Sequence, residues 1–402
     1  MTRRPRLLYI TTLPVTPFLL LRGQLAHMQE LGFDVHVISS PGPELDAVAE
    51  REGVTVHPVP IPRDPAPRAD LRSLARLVRT IRRIAPDIVN ASTPKAGLLG
   101  MVAARIARVP VRIYLLRGLR LETATGKLRT ALELSERAAS ACSHQVVSVS
   151  DSLREVYLDG GFTRPDKCRV LGSGSSNGVS PARFTVTDAV RVQSAALREQ
   201  LEIPPEASVI GFAGRMVEDK GILYLLDAFD RVCEVREAHL VLVGDSLAGD
   251  SVRPDIRERV QRTPRAHVLP RMAELAPFYN MLDVLAFPSL REGFPNVPAE
   301  CALSSTPVVG FRSTGVVDAI ADGLTGKIVP HDAAALATAL LDYLEDPELA
   351  RAHGEAGRQR ILREFSPQTV WSQWANEYIR MLGARGLPLP RYGSGSIRGR
   401  YE

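Results

Sequence analysis

The sequence predicts an α/β fold built from two doubly wound parallel sheets. Short apolar runs alternate with amphipathic helical segments, and the alternation restarts after an irregular stretch at 172–190. Parallel strand–helix–strand units produce this pattern. At 402 residues the chain is long enough for two ordinary domains. We expect an amino-terminal domain at 1–185, a second domain at 186–366, a C-terminal helix at 367–385 and a disordered Gly/Ser/Arg-rich tail at 386–402.

The first alternation begins close to the amino terminus. Basic residues precede an apolar run there, as in a signal peptide, but Pro14 and Pro17 interrupt it and no small-residue cleavage site follows. The run therefore predicts a first buried strand. The expected strands are Leu7–Ile10, Val35–Ser39, Ile88–Ala91, Val111–Leu115 and Gln145–Val149, separated by helices near 20–31, 44–52, 70–84, 95–107, 126–141 and 151–159.

The second alternation begins at Val209. Its further strands are expected at Leu240–Val243, His267–Leu269, Val284–Phe287 and Val308–Gly310, followed by helices at 333–344, 348–363 and 367–382. The stretch Gly172–Gly178 has the glycine spacing of a dinucleotide-binding turn. No suitable helix follows it, and no glycine-rich turn opens the first strand–helix unit, so a dehydrogenase is disfavoured.

Charge is unevenly distributed. Residues 1–185 contain 26 Lys and Arg against 16 Asp and Glu, whereas the remainder contains 24 against 29. The basic amino half predicts an anionic acceptor or an anionic membrane surface as its partner. Nucleic acid is disfavoured because no Lys/Arg run has interleaved aromatic residues, which make up only 5% of the chain.

Composition also indicates where the protein works. The four cysteines lie far apart without CxxC spacing, which predicts buried residues in a reducing cytosol. No apolar stretch reaches the roughly 20 residues that span a bilayer, so any membrane contact is expected to be peripheral. The sequence has no Asp-x-Asp motif, which would hold a metal ion, and we expect neither a bound metal nor a cofactor.

Two carboxylates form the most informative motif, Glu292 and Glu300, on either side of a predicted helix start at Pro298. Gly293 permits a tight turn, and free backbone N–H groups before the helix attract anions. A nucleotide-sugar would fit this arrangement, because the N–H groups can bind its phosphate and the carboxylates can bind its hydroxyls. A solvent-facing loop glutamate and a helix-dipole glutamate would also explain the pair.

A second segment supports the ligand interpretation. The buried strand 208–213 ends in Gly214, and Arg215 and Lys220 follow it in a short loop. Open α/β sheets bind ligands at the carboxyl ends of their strands, and two cations in one loop can hold a diphosphate. The same loop also has good turn chemistry without any ligand.

Together these segments resemble the retaining GT-B glycosyltransferases of family 4, over nearly the whole chain. The segments that carry the resemblance are Gly214-Arg215, Asp219–Gly221, Asp283–Ser289, Glu292, Glu300 and Thr325–Pro330. In the amino half, Pro86–Asn90, Thr93–Gly97 and Val149–Asp151 are similar to enzymes that build bacterial surface polysaccharides and lipid-linked oligosaccharides. The resemblance implies two Rossmann-like domains facing a central cleft, with the C-terminal helix returning to the amino domain.

The resemblance also implies roles for individual residues. Arg215 and Lys220 would hold the donor diphosphate, Glu300 would bind ribose hydroxyls, and Glu292 would contact the donor sugar. The loop Gly293, Phe294, Pro295 and Asn296 would contact phosphate and sugar, and the base would lie near Met272. Glu292 and Arg117 are the expected catalytic residues.

The amino domain departs from the family pattern at two places. Its first loop has no glycine before Gly23, so hydroxyls such as those of Thr12 and Thr16 would have to replace a glycine-rich phosphate contact. Arg117 stands where the family commonly has histidine, and it can stabilise a leaving or acceptor phosphate but cannot act as a neutral base. Lys95 starts a helix, where it meets either a phosphate or solvent.

Helix 71–84 is basic and amphipathic. Its apolar stripe can pack against the protein's own sheet, or the helix can lie on an anionic lipid surface. The two are compatible if the stripe faces inward while the arginines face lipid phosphates. The resemblance, taken with these motifs, implies a metal-independent transferase that moves a hexosyl or N-acetylhexosaminyl unit from a UDP-sugar to a polyprenyl-diphosphate glycan. A nucleotide-sugar epimerase of the same fold and a non-catalytic nucleotide-sugar-binding partner remain as alternatives.

Overall fold

The computed structural model describes residues 3–64, 66–244 and 252–390. The chain forms two compact units, the first from Met1–Gly178 with Pro367–Glu402 and the second from Val179–Ser366. The first unit thus gives way to the second at Gly178, ahead of residue 185, and the chain returns to it at Pro367. Most of the tail for which disorder is expected, 391–402, lies outside the described residues.

The first unit contains a seven-stranded parallel sheet in the order β3-β2-β1-β4-β5-β6-β7. Its strands are β1 (Arg6–Ile10), β2 (Asp34–Ser39), β3 (Thr55–Pro58), β4 (Ile88–Ser92), β5 (Val111–Leu116), β6 (Gln145–Ser148) and β7 (Cys168–Val170). Leu7 pairs with Val35 on one side and Ile88 on the other. The strand order therefore reverses between β1 and β4, which makes this pair the topological switch point.

Among the described residues, seven α-helices of the first unit precede the second unit. They are α1 (Val15–Leu20), α2 (Gln24–Glu30), α3 (Pro43–Glu52), α4 (Pro67–Ile84), α5 (Pro94–Ile106), α6 (Gly126–Cys142) and α7 (Asp151–Asp159). The connections through α4, α5 and α6 cross the sheet in one direction, and right-handed crossovers place such helices on one face. In agreement, α4 packs on α5 and α5 packs on α6.

The helix expected at 20–31 begins only after Gly23, at Gln24, and a separate helix that was not expected, Val15–Leu20, precedes it. Gly23 has a φ of +78°, and a Cβ atom there would lie 2.6 Å from the ring of Trp371. The left-handed conformation and the close approach of the ring both require glycine at this position. The break shows why an uninterrupted apolar pattern overestimates helix length here.

The second unit contains a six-stranded parallel sheet in the order β10-β9-β8-β11-β12-β13. Its helices are α8 (Pro181–Phe184), α9 (Asp188–Gln200), α10 (Ile222–Val235), α11 (Pro254–Arg262), α12 (Ala276–Asn280), α13 (Asn296–Leu303), α14 (Val316–Ala319), α15 (Ala333–Glu345) and α16 (Pro347–Glu364). Its strands are β8 (Ser208–Ala213), β9 (Ala238–Gly244), β10 (Ala266–Pro270), β11 (Val284–Phe287), β12 (Val308–Phe311) and β13 (Gly326–Val329). Its switch point lies between β8 and β11, and the two doubly wound sheets expected from the sequence are confirmed.

The last helix, α17 (Pro367–Gly383), packs on the first unit, as expected. Its buried Tyr378 accepts a hydrogen bond from Asn90 Nδ2 at 2.7 Å, and its hydroxyl donates to Tyr9 at 3.2 Å. Arg169 also pairs with Glu377 at 3.0 Å. These contacts join the last helix to β4, β1 and β7. Among the described residues, no helix is long and apolar enough to cross a membrane.

The basic amphipathic helix is α4, and it begins at Pro67 rather than near residue 70. Leu77, Ile81 and Ile84 of its apolar stripe are buried, so that part of the stripe packs against the protein itself. Leu71, by contrast, is 68% exposed. The stripe therefore covers only the carboxyl-terminal part of the helix.

Candidate functional site

The candidate residues of the second unit lie on two loops at its switch point. One loop follows β8 and leads through Arg215 and Lys220 into α10, and the other follows β11 and leads through Glu292 into α13. The two strands are neighbours, with Val284 opposite Ile210. Both loops leave the carboxyl edge of the sheet, where open α/β sheets bind ligands.

An ion pair joins the two loops. Lys220 Nζ contacts Glu292 Oε1, and the Ser289 hydroxyl donates a hydrogen bond to the same oxygen at 2.7 Å. Both charged side chains are largely withdrawn from solvent, with 20% of Lys220 and 16% of Glu292 exposed. The structure thus brings together two residues that the sequence placed in one site, and it adds Ser289 to them.

The arginines of the two loops share a second carboxylate, Asp219. Arg291 approaches Asp219 at 3.1 Å, whereas Arg215 lies 3.9 Å from it and remains 54% exposed. Arg215 is therefore loosely held and can turn its guanidinium to a ligand. The loops approach so closely that a Cβ atom at Gly221 would lie 2.0 Å from the carbonyl oxygen of Pro288. Gly221 has a φ of +69°, so both its conformation and its packing require glycine.

The anion-attracting backbone is the start of α13. The helix begins at Asn296 rather than at Pro298, with Pro295 as its N-cap. Prolines have no N–H group, so the donors available before and within the first turn are those of Phe294, Asn296 and Val297. The ring of Phe294 packs on that of Phe365, with 4.7 Å between ring centroids, which fixes the loop ahead of the helix.

Glu300 lies on α13, one turn beyond these N–H groups. The hydroxyl of the buried Tyr279 donates to its Oε2 atom at 3.0 Å. Burial raises the pKa of Glu300, and the hydrogen bond from Tyr279 opposes this shift. No hydrogen bond to Oε1 occurs among the described residues, so this oxygen is available to a ligand hydroxyl. Tyr279 had no signal of its own in the sequence.

Met272 lies in the loop after β10, at the edge of the sheet. Its side chain is half-buried and packs, with Leu275, against the core cluster that contains Tyr279 and Leu269. An apolar surface of this kind suits a nucleobase, and the role stays a prediction.

In the first unit, the loops at the switch point meet through two threonines. The hydroxyls of Thr12 and Thr93 lie 2.7 Å apart, and the backbone N–H of Ala96 donates to Thr12 at 3.2 Å. Thr93 has a φ of +73°, which is unusual for a β-branched residue. Thr12 is therefore occupied in holding the start of α5, while Thr16 lies half-buried in α1.

Lys95 has partners within the protein. Its ammonium group lies 2.8 Å from Asp70 of α4 and also contacts the carbonyl oxygen of Asp64. The lysine thereby links the start of α5 to the start of α4. Its phosphate-binding role stays a prediction, and a ligand there would have to compete with Asp70.

Arg117 follows β5 and lies among polar groups that contain no carboxylate partner within the described residues. Its Nη1 atom donates to the Ser176 hydroxyl at 2.5 Å, whereas its buried Nε and Nη2 atoms have no hydrogen-bond partner there. Burial lowers the pKa of Arg117 to about 10, and nearby Tyr378 and Tyr9 oppose this shift. Arg117 therefore remains a cation at neutral pH, and the side-on edge of its guanidinium is unsatisfied.

These residues form two separate groups, one in each unit. Lys220 and Glu292 are in direct contact, whereas Thr12, Lys95 and Arg117 each bind other partners. Sequence reasoning missed Ser289, Tyr279 and Ser176, whose roles depend on contacts formed only in the folded chain. No group of three His, Cys, Asp or Glu side chains that could hold a metal ion occurs in the described ranges.

Two family models match the chain. The model described as "Glycosyl transferase 4-like domain" matches residues 20–174, and the model described as "Glycosyl transferases group 1" matches residues 207–346. The first match lies within the first unit and the second within the second unit. The second match includes both loops of the switch point.

Curated proteins and solved structures are also similar to this chain. The capsular polysaccharide biosynthesis glycosyltransferase CapM of Staphylococcus aureus is 33% identical over 366 residues, which are 90% of this chain and 94% of CapM. The UDP-Gal:alpha-D-GlcNAc-diphosphoundecaprenol alpha-1,3-galactosyltransferase of Escherichia coli is 24% identical over 61% of this chain and 63% of its own. The crystal structure of Anabaena HepE in complex with UDP-glucose matches with a TM-score of 0.77 and 20% identity, over 93% of this chain and 99% of HepE.

Proposed function

Because this chain belongs to the family 4, or group 1, glycosyltransferases, we propose that it transfers a hexosyl or N-acetylhexosaminyl unit from a UDP-sugar to a lipid-linked glycan in surface-polysaccharide biosynthesis. Family membership, glycosyltransferase activity and the GT-B fold agree with the expectations from sequence. The donor, the acceptor and the retained anomeric configuration are the proposed part.

The observation that carries the donor site is the contact of Lys220 with Glu292 at the second switch point. A cation and a carboxylate side by side, next to the free N–H groups of α13, can receive a diphosphate and a sugar hydroxyl together. Glu300 adds an acceptor oxygen for ribose, and Met272 adds an apolar surface for the base. The UDP-glucose complex of the similar protein HepE supports a uridine nucleotide.

In the proposed reaction, the bond between the anomeric carbon and the diphosphate oxygen breaks while an acceptor hydroxyl oxygen attacks the same face of the sugar. The hydroxyl proton passes to the departing diphosphate, so no protein base is needed. Lys220 and Arg215 stabilise the negative charge that develops on the diphosphate, and Arg117 stabilises a leaving or acceptor phosphate. Glu292 orients the donor sugar.

An anionic, lipid-linked acceptor is supported by the net basic charge of residues 1–185 and by the unsatisfied guanidinium of Arg117. The E. coli relative is named for a diphosphoundecaprenol acceptor, and CapM for capsular polysaccharide biosynthesis. With such an acceptor, the enzyme works in the cytoplasm at the inner face of the plasma membrane.

A donor screen tests the proposal. Purified protein is mixed with individual UDP- and GDP-sugars, and thermal shift and released nucleoside diphosphate are measured with and without a polyprenyl-diphosphate glycan. We expect one UDP-sugar to stabilise the wild type but neither Lys220→Ala nor Glu300→Ala, and release to need the acceptor. Lys327→Ala, which breaks a lysine–carboxylate pair elsewhere in the second unit, is the control.

Other results of the screen would replace the proposal. Free UDP with an altered sugar in the absence of acceptor would indicate an epimerase. Donor binding without transfer to any acceptor would indicate a non-catalytic nucleotide-sugar-binding partner. If no nucleotide-sugar shifted the melting temperature, the donor site itself would be wrong.

A further inference from the structure

One side of helix α4 presents a row of arginines to solvent. Arg68, Arg72, Arg76, Arg79 and Arg83 are spaced three or four residues apart, which places them along one stripe of the helix, and Arg82 lies beside it. All six are exposed, and none forms an ion pair within the described part of the chain. The only carboxylate of the helix, Asp70, is engaged by Lys95.

The opposite side of α4 holds this row in place. Leu77, Ile81 and Ile84 are buried against the rest of the first unit, so the arginines cannot turn inward. Six unpaired cations on one exposed face repel each other, and neither the fold nor the buried face requires them. Their arrangement is explained by an external anionic partner.

Apolar side chains are exposed in the same layer of helices. Leu71 of α4 is 68% exposed, Ile106 of α5 46%, and Leu128 and Leu134 of α6 48% and 63%. Because α5 packs on both α4 and α6, the three helices form one layer on one face of the sheet. The first turn of α6 adds the exposed cations Lys127 and Arg129.

We infer that this layer, here called the α4–α6 surface, docks on a bilayer that contains anionic phospholipid. The arginines match lipid phosphates, and the leucines match the boundary between headgroups and acyl chains. Nucleic acid fits less well because α4, α5 and α6 contain no aromatic side chain on which a base could stack. The inference concerns the first unit alone and does not depend on which sugar or acceptor the enzyme uses.

Vesicle co-sedimentation tests the inference on the full-length protein. Vesicles of phosphatidylcholine, alone or with phosphatidylglycerol, are mixed with the wild type, with Arg76→Gln/Arg79→Gln and with the control Arg231→Gln/Arg351→Gln. The control removes two exposed arginines from the second unit, so both double variants lose the same charge. Each arginine near an anionic surface contributes about 1 kcal/mol, so the α4 variant should bind about 30-fold more weakly.

The expected pattern has three parts. The wild type and the control bind anionic vesicles equally and neutral vesicles weakly. Binding to anionic vesicles falls as salt rises. Leu128→Ser loses much of the vesicle binding that the wild type retains at high salt. Failure of the wild type to bind anionic vesicles, equal loss in both double variants, or stronger retention on RNA than on vesicles would each overturn the inference. UDP binding should be unchanged in all variants, so a failed donor screen and a failed docking surface are distinguishable.

Discussion

Lys220 and Glu292, which are 72 residues apart in sequence, form an ion pair that joins the two loops of the second switch point. Ser289 donates to the same carboxylate oxygen, so Glu292 is held by two groups before any ligand arrives. A donor diphosphate would compete with Glu292 for the lysine. The pair therefore keeps the cation in position and also opposes its transfer to the ligand.

This relationship predicts opposite effects of substituting the two partners. Lys220→Ala removes a charged hydrogen-bond donor and should weaken UDP binding by about 10- to 100-fold. Glu292→Gln releases the lysine, so UDP should bind as tightly as to the wild type or more tightly, while sugar transfer falls. Titration calorimetry with UDP and steady-state transfer kinetics measure the two effects.

The control for this pair is Lys327→Ala. Lys327 pairs with Asp342 in the same unit and is similarly exposed, at 24% against 20% for Lys220. It should leave UDP binding unchanged. Weaker UDP binding in Glu292→Gln would mean that the carboxylate supports the nucleotide site rather than the sugar.

A second prediction concerns ribose recognition by Glu300. If its free oxygen accepts a ribose hydroxyl, the wild type should prefer UDP to 2′-deoxy-UDP by roughly tenfold, and Glu300→Gln should lose most of this preference. Competition binding of the two nucleotides measures it. Glu345→Gln, an exposed glutamate on α15, serves as the control.

The pH dependence of nucleotide binding should follow the same carboxyl group. Burial raises the pKa of Glu300, and the ionised form is the better acceptor, so UDP affinity should rise as pH increases through that pKa. Tyr279→Phe removes a hydrogen bond that lowers this pKa, so the rise should move to higher pH. An affinity profile unchanged by Tyr279→Phe would contradict the assignment.

The sequence predicted the two sheets because both are built from buried, nearly continuous apolar strands. It missed β3, β7 and β13, which have four, three and four residues. All three lie at sheet edges and include exposed or half-buried residues, so they lack the continuous buried apolar run by which the equally short β11 and β12 were expected. In addition, β3 ends in a proline. The helix break at Gly23 was missed because it depends on Trp371, which is distant in sequence.

The site was predictable to the extent that it follows local rules. The loop that contains Lys220 and Gly221 follows the buried strand β8, and the loop that leads into α13 follows the buried strand β11. Loops at the carboxyl ends of such strands bind ligands. The partners were not predictable, because Asp70 reaches Lys95 from 25 residues away and Tyr279 reaches Glu300 from another helix. Such pairings are set by tertiary packing, which no local pattern encodes.

A third prediction concerns Arg117, whose Nε and Nη2 atoms are unsatisfied in this structure. Loss of a charged donor near a reacting phosphate costs about 10²-fold in turnover, so Arg117→Gln should reduce kcat by roughly that factor. Arg117→Lys keeps the charge but lacks the planar fork, so it should recover only part of the loss. Both effects are measured as transfer rates at saturating donor.

Ser176→Ala is the matched control, because it removes the one hydrogen-bond partner that Arg117 has among the described residues while keeping the guanidinium. Its effect on kcat should be small. Equal activity of Arg117→Gln and the wild type would remove Arg117 from the reaction. UDP binding distinguishes the two roles, because Arg117→Gln should weaken it if Arg117 contacts the leaving diphosphate and leave it unchanged if Arg117 contacts an acceptor phosphate.

A fourth prediction is that transfer does not need a divalent metal. Arg215, Lys220 and the N–H groups of α13 can meet the diphosphate charge without a metal ion. Full activity should remain after EDTA treatment. Strict dependence on Mg²⁺ or Mn²⁺, restored by adding the ion back, would contradict this.

The last prediction concerns a buried carboxyl group in the first unit. Glu136 of α6 accepts a hydrogen bond from the Tyr114 hydroxyl at 2.9 Å, and burial raises its pKa from 4.5 to about 7. In the unfolded chain Glu136 ionises above its ordinary pKa, whereas in the folded protein it stays protonated until about pH 7. Stability should therefore fall as pH rises between these two values, by about 3 kcal/mol in total.

Glu136→Gln isolates this effect because glutamine does not titrate. The difference in melting temperature between the wild type and Glu136→Gln should shift in favour of the variant as pH rises from about 4.5 to about 7, and then level off. Glu155→Gln, an exposed glutamate on α7, should melt in parallel with the wild type throughout. If Glu136→Gln also ran parallel to the wild type, Glu136 would have to ionise equally in the folded and unfolded states, and the pKa shift caused by its burial would be absent.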